Sequence, residues 1–328
     1  MNLFSHIILF FIILIIYLLI IHQFKRSEDM EIYEVDYNNN NDLQTICDLK
    51  QPFIFKFDNM DNLNYDSLKQ LNQDLNVKDI NDYYNNINNR DSVLLPSNNT
   101  VTLLNTDSKS KYYTEYNYSF VEENFLSSYQ DYDNSLKPHF TLKTYYDIIT
   151  ASNNTYTPLT YHMNYRHFIL VNSGKIRIKL TPWKSSKYLY INKDYDNLEF
   201  TSPIDIWNPQ EKYTNEMKKI KFIEIDILAG NIVYIPSYWW YSIQFIDSET
   251  VLSSFTYNSI MNCFSNLNHY FLYYLQQYNT KTKVMKTITI NEKENENEIE
   301  NGNEIENENE MKNEMKNEME NEVISDEL

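Results

Sequence analysis

The sequence predicts a mostly β domain of the double-sheet jelly-roll class, with flanking helices, set behind one N-terminal transmembrane helix. Three observations predict it. Residues 3–21 form a run without Asp, Glu, Lys or Arg. Several short strand patterns follow in the second half of the chain. Two of only three glycines, Gly174 and Gly230, stand between consecutive strand patterns.

The apolar run reads LFSHIILFFIILIIYLLII. It is long enough to cross a bilayer core of roughly 30 Å as a helix. A cleaved signal peptide has a basic start and a small-residue cleavage site. This run has neither, so a retained anchor is expected. Lys25 and Arg26 follow it directly and nothing basic precedes it, which by the positive-inside rule places the rest of the chain in the cytosol. The terminal Ser325-Asp326-Glu327-Leu328 resembles an ER-retrieval signal, and sequons occur at Asn98, Asn117 and Asn153; both point to the lumen. In a chain with 45 Asn, sequons arise by chance, and the cytosolic side is the expectation.

Residues 22–50 are polar and read as a linker, residues 51–285 as the folded body, and residues 286–328 as a disordered acidic Asn/Glu-rich tail. The net charge of −18 is concentrated in that tail: residues 291–328 hold 15 acids and 3 bases. So little apolar area cannot offset the entropy of ordering it. The body carries no basic excess, so no nucleic-acid partner is expected. Two Cys exclude a disulfide framework and a four-thiolate zinc site. No phosphate-binding glycine loop or nucleophile elbow is present.

Within the body, residues 52–57 read as a strand and residues 61–75 show helical spacing. Ile176, Ile178 and Leu180 alternate with Lys175, Arg177 and Lys179, and Ile223, Ile225 and Ile227 alternate with Glu224 and Asp226. Such period-two patterns predict strands with one buried face. Glycine tolerates the positive φ of a tight turn. Hairpins are therefore expected between strands 165–171 and 175–181, and between 221–228 and 231–236. Strands 241–245 and 251–255 follow. Phe264, Leu267, Phe271, Tyr274, Leu275 and Tyr278 then lie on one face of an amphipathic helix.

Residues 230–241, GNIVYIPSYWWY, resemble the G-D-x-x-x-I-P-x-x-W-W-H motif of cupin-like and JmjC-type 2-oxoglutarate dioxygenases. Residues 168–182 resemble that family's N-F-x-x-Q-x-x-G-x-K-x-x-x-L-x-P strand pair. Residues 202–209 are similar to its connecting segment. Order and spacing agree over residues 158–245. One span ahead of such a domain resembles membrane-anchored cupin-like proteins of large DNA viruses, which implies a virion or host endomembrane setting.

The resemblance implies a double-stranded β-helix and an Fe(II) site of two His and one carboxylate, open to 2-oxoglutarate and O₂. Its first two ligands form an H-x-D pair that starts thirteen residues before the turn glycine. Its third ligand follows the Trp-Trp pair. Counted on this chain, those positions hold Tyr161, Met163 and Tyr241. Neutral phenol and thioether do not hold Fe(II) in such a site. The family's basic residue for the oxoglutarate carboxylate falls at Ile176, while Lys175 and Arg177 alternate outward. A one-residue bulge would instead turn His162 and Asn164 inward beside Tyr241.

The expected function is a catalytically silent, membrane-anchored cupin-like domain with a binding or structural role and no cofactor. Tyr161, Met163, Tyr234, Trp239, Trp240 and Tyr241 are expected to line a metal-free pocket. The alternative is an Fe(II)/2-oxoglutarate oxygenase of protein side chains with relocated ligands. The expected partners are the bilayer, through residues 3–21, and a second copy, through helix 264–278.

Overall fold

The computed structural model describes residues 3–57, 63–71, 73–85 and 92–278. The acidic tail, and with it the terminal SDEL, lies outside them.

The strands, in chain order, are β1 (Tyr33–Glu34), β2 (Phe53–Lys56), β3 (Asp74–Asp79), β4 (Ser92–Pro96), β5 (Tyr112–Thr114), β6 (Thr141–Thr150), β7 (Thr160–Tyr161) and β8 (Arg166–Ser173). They continue as β9 (Lys175–Thr181), β10 (Asn192–Asp194), β11 (Glu199–Thr201), β12 (Ile223–Leu228), β13 (Asn231–Tyr234), β14 (Trp240–Phe245) and β15 (Val251–Ser259). Among the described residues they form three sheets. The first runs β1-β2-β13-β8-β15-β6 and the second β10-β11-β7-β14-β9-β12. A small third sheet runs β4-β3-β5.

Ile149, Ile169, Val171, Val233 and Leu252 of the first sheet pack with Ile176, Ile178, Leu180, Ile243 and Phe245 of the second. This is the sandwich interior. The outer face of the first sheet, with Phe53, Phe55, Phe168 and Phe255, is covered by helices carrying Leu43, Val101, Phe120, Tyr132 and Leu136. The outer face of the second sheet is covered by loops that bring Leu189, Ile204, Ile206 and Tyr238 onto Tyr161, Phe200 and Trp240. Strands β8 and β15 are thus buried on both faces; β8 carries the apolar run Phe168 to Val171, whereas β15 also buries the polar residues Ser253, Ser254, Thr256 and Asn258.

The hairpins expected at Gly174 and Gly230 are corrected by the strand pairing. β8 pairs with β13 and β15, whereas β9 pairs with β12 and β14. Each glycine turn carries the chain from one sheet to the other. The two turns lie together: Ala229 N–H donates to Gly174 O at 3.1 Å and Gly230 N–H to Val171 O at 2.9 Å. A strand-turn-strand pattern has the same local signature whether the strands pair or cross between sheets.

Strand β9 has the expected alternation. Its outward residues meet β12 in a charged ladder, with Arg177 Nε 2.6 Å and Lys175 Nζ 2.7 Å from Asp226 carboxylate oxygens. The helix expected over 61–75 is shorter. It runs Tyr65–Lys69 behind a reciprocal Asn64/Ser67 cap, and Leu75 lies in β3, paired with Leu95. Sheet pairing there overrides helical spacing.

Residues 22–50, expected as a linker, carry structure. β1 extends the first sheet in parallel with β2, and a helix spans Asn40–Cys47 behind an Asn39 cap. That helix is tied to β8 by Arg166, whose fully buried guanidinium donates to Gln44 Oε1 at 2.9 Å and Asp48 Oδ1 at 2.6 Å. The apolar helix Leu3–Gln23 is long and apolar enough to span a membrane. Just after it, the Arg26 guanidinium sits 4.3 Å from the Trp183 ring centre and 4.1 Å from that of Tyr238. Arg26 therefore packs on the body. Cys47 and Cys263 are free thiols.

The amphipathic helix at the end of the body breaks at Asn266 into Ile260–Ser265 and Leu267–Gln277. Its apolar residues Phe264, Leu267, Phe271 and Leu275 face outward and are exposed.

Candidate functional site

The site is built by the segment from β13 to β14 closing over the end of β7. Ile235 to Trp239 turn sharply, with Tyr238 at φ +64 and Trp239 N–H returning to Pro236 O at 3.2 Å. Tyr238 N–H donates to His162 O at 2.8 Å, and His162 Nε2 lies 3.1 Å from Ile235 O. The proline-bearing turn thus fixes both the backbone and the ring of His162.

Pairing decides which side chains face inward. Tyr161 is opposite Trp240 and Thr160 is opposite Tyr241, and residues opposite one another share a face. Tyr161 and Trp240 turn to the outer aromatic cluster: the Tyr161 ring lies 4.7 Å from Trp240 and 5.0 Å from both Trp183 and Phe200. Met163 is buried in the same cluster. On the other face, His162 and His167 stack with ring centres 4.6 Å apart, and the Tyr241 ring is 6.0 and 5.7 Å from them.

These rings close one end of a cavity of 430 Å³. Tyr161, Met163, His162, Asn164 and Tyr241 all contribute to its wall. Three of the residues expected to line it lie elsewhere. Tyr234 packs under the helices and donates to Cys47 O at 3.3 Å. Trp239 is in the sandwich core, and Trp240 donates to Ser186 Oγ at 2.8 Å in the outer cluster. The positions counted as Tyr161 and Met163 reach the cavity wall from the outer cluster, and His162 and Asn164 stand on the same wall beside Tyr241.

Burial governs the charge of these groups. Desolvation, with the neighbouring His167, holds His162 well below the usual imidazole range, and desolvation pulls His167 down to about 4. Burial also pushes the Tyr241 phenol upward, so it stays protonated. Asp147, on β6, faces the same cavity. Desolvation raises it to about 7, although its oxygens accept from Tyr116 N–H at 2.8 Å and Asn117 N–H at 2.7 Å. Ile176 is fully buried, and no cation stands at its position.

The His167 shift has a measurable consequence. A folded-state value of about 4 against 6.5 unfolded means that the unfolded chain binds the extra proton in that window. The contribution is complete above pH 6.5 and is lost as pH falls toward 4, to a depth of about 3 kcal/mol. Asp147 acts in the opposite direction, so the comparison is with a variant. His167→Gln is expected to gain about 3 kcal/mol relative to wild type between pH 6.5 and 4. Urea midpoints across that range measure it.

A family description, the cupin-like domain, matches residues 26–263. The chain belongs to this family. The cupin-like domain also resembles JmjC domain-containing protein D of Dictyostelium discoideum, 32% identical over 90 residues, 27% of this chain and 20% of that protein. HSPB1-associated protein 1 of Bos taurus and of Homo sapiens are each 27% identical over 79 residues, 24% of this chain and 16% of theirs. The matches thus cover a fifth or less of those relatives.

The cupin-like domain does not fit the Fe(II) centre implied by its JmjC-type resemblance. Among the described residues no three His, Cys, Asp or Glu side chains come together as a metal-binding group. Around His162 the cavity offers two imidazoles, the Asn164 amide and the Tyr241 phenol held protonated; the Asp147 carboxylate is engaged by backbone N–H groups, and those of Glu115 and Glu199 are paired with Lys78. The facial iron site that the resemblance implies is built from two His and one carboxylate, and no unengaged carboxylate joins His162 and His167 among the described residues.

Sequence reasoning missed several cavity residues: Asp147, Glu115, Glu199, Tyr116, Tyr118 and Lys143. They come from β5, β6, β11 and adjoining segments with no motif to connect them. The inward role of Thr160 and His162 was open to a sequence signal, since alternation back from Tyr241 across the paired strand assigns it.

Proposed function

We propose that this cupin-like domain is a membrane-anchored binding module that works without iron, with a binding or structural role in place of oxygenase chemistry. The observation that carries this reading is the donor set around His162: Asp147 is engaged by backbone N–H groups, Glu115 and Glu199 are paired with Lys78, and the buried Ile176 stands where the resemblance puts a cation for the oxoglutarate carboxylate. Purified full chain, supplied anaerobically with Fe(II) and then with 2-oxoglutarate and O₂, is expected to form no succinate above the protein-free control. Succinate production abolished by His162→Ala would reverse the reading. The second reading, an Fe(II)/2-oxoglutarate oxygenase of protein side chains, is favoured by one observation: His162, Asn164 and Tyr241 share the cavity wall.

The helix Leu3–Gln23 serves as a single-pass anchor in this account, with the body on the cytosolic side. Its apolar side chains are exposed along nearly the whole length, which suits lipid. Glycosylation mapping tests the orientation at two sequons. Asn98 and Asn153 are exposed, whereas Asn117 is 3% exposed and donates from Nδ2 to Ile148 O at 2.7 Å. No occupancy at Asn98 or Asn153 is expected in cells; glycans there would place the body in the lumen. The exposed apolar face of Leu267–Gln277 is assigned to a second copy, as the family resemblance implies, and cross-linking of the full chain in membranes reads it.

A further inference from the structure

The apolar helix Leu3–Gln23 does not stand clear of the body. Its side chains are exposed from Phe4 to Leu19, but Ile20 is partly buried and Gln23 is buried. There the helix packs against the short helix Ile260–Ser265. A helix rises 1.5 Å per residue, so the 21 residues of Leu3–Gln23 span about 31 Å. That matches the hydrocarbon thickness of a bilayer, roughly 30 Å, and leaves no spacer. Crossing a bilayer therefore brings Ile260–Ser265 to the level where the hydrocarbon ends.

Around this base the body exposes large apolar side chains. Ile260 and Phe264 are 42% and 59% exposed. Ile260 N–H donates to Phe140 O at 3.3 Å, which joins the short helix to the start of β6. Phe140, at φ +58, is 82% exposed, and Leu142 is 57% exposed. Burying such side chains is favourable, and these four leave one patch unburied.

Charge supplies the second observation. In a chain of net charge −18, residues 20–26, 137–145 and 257–268 hold no Asp or Glu. They hold Lys25, Arg26, Lys137 and Lys143 instead. Lys137 is paired with Asp133 at 2.9 Å and Arg26 stacks on Trp183 and Tyr238, while Lys143 lies 5.6 Å from the Tyr270 ring centre. Apolar side chains bordered by cations, with no carboxylate among them, suit the boundary layer of a bilayer that carries anionic headgroups.

Resting on the reading of Leu3–Gln23 as a membrane anchor, we propose that Phe140, Leu142, Ile260 and Phe264 dock the body on the bilayer beside its own anchor. Their side chains enter the boundary between headgroups and acyl chains. The body is then held in one orientation and does not swing on a tether. Lys143 also lines the cavity, so docking sets that wall at the headgroup layer. The apolar face beyond Asn266 stays with the second copy.

Photolabelling from the lipid tests this. The full chain is reconstituted into vesicles of phosphatidylcholine and phosphatidylserine that include a phosphatidylcholine with a diazirine in its acyl chain. After irradiation, adducts are mapped by peptide mass spectrometry. They are expected within residues 3–21 and, separately, within residues 137–145 and 260–264. Phe140→Asp combined with Phe264→Asp, both at exposed positions, is expected to lower the adducts at Leu142 and Ile260 roughly tenfold and to leave those on residues 3–21 unchanged. Adducts on residues 3–21 alone, or a patch yield unmoved by the double variant, overturn docking and leave the anchor reading standing. Adducts on the patch alone support docking on a bilayer and overturn the anchor. Adducts in neither place overturn both.

Discussion

Replacing Gly174 by alanine is expected to cost about 3 kcal/mol or more of stability. Two effects add. Gly174 has φ +75, a left-handed conformation that costs an L residue roughly 1–2 kcal/mol. A Cβ there would stand 2.2 Å from Thr250 Oγ1 and 2.9 Å from Thr250 Cβ. Thr250 is fully buried and its hydroxyl donates to Asp247 O at 2.8 Å, so it cannot swing away without losing that bond. Overpacking of this kind costs about 1–3 kcal/mol more. The turn also joins the two sheets, so its displacement reaches both β8 and β9. Denaturant titration of the full chain in detergent checks the loss. Adding Thr250→Ala to Gly174→Ala is expected to recover part of it, by removing the closest contact and leaving the backbone strain.

Lys50→Met is expected to do the reverse and stabilise the protein. Lys50 is 1% exposed, and its ammonium has no hydrogen-bond partner. Its compensation is the Tyr165 ring face 4.7 Å away. Desolvation, together with the nearby Arg166, pulls its value down to about 7. For a base depressed from 10.5 to about 7, the unfolded chain binds the extra proton between those limits. Stability therefore falls as pH drops from 10.5 to 7, and the whole penalty is present below pH 7. Methionine fills similar volume without charge. The variant is expected to gain about 4 kcal/mol at pH 7 and to lose the slope between pH 7 and 10. Unfolding midpoints at pH 7 and pH 10 read both effects. An unchanged midpoint at pH 7 would mean that Lys50 reaches water.

The local pattern of the second half of the chain was legible because alternation there is a direct consequence of one-sided burial. Lys175, Arg177 and Lys179 point outward against Asp226 and Glu224, as their spacing requires. Sheet membership was not legible. Gly174 and Gly230 satisfy the same backbone demand in a hairpin and in a crossing between sheets, and only the long-range pairing of β9 with β14 separates the two. The helix-covered face formed by residues 33–50 was hidden too, since Arg166 reaches Gln44 and Asp48 across more than 100 residues of sequence.

The site shows the same limit. The Trp-Trp block located Tyr241 because a single turn connects it to Gly230. The partners on β7 were harder to read because residues 162–165 leave the strand pattern, and parity is not conserved through irregular backbone. His162 stacks on His167 beside Tyr241, while Tyr161 spans the cavity wall and the outer cluster. The carboxylates of Glu115, Asp147 and Glu199 converge from separate segments, a juxtaposition that only the tertiary fold creates.

A binding module that works without iron requires a cavity that retains no stoichiometric metal. Elemental analysis of the full chain, reconstituted anaerobically with excess Fe(II) and freed of loose metal by gel filtration, tests it most directly. Iron far below one atom per chain is expected, with no change in His162→Ala. One iron per chain, lost on substitution of His162 or Tyr241, would contradict it.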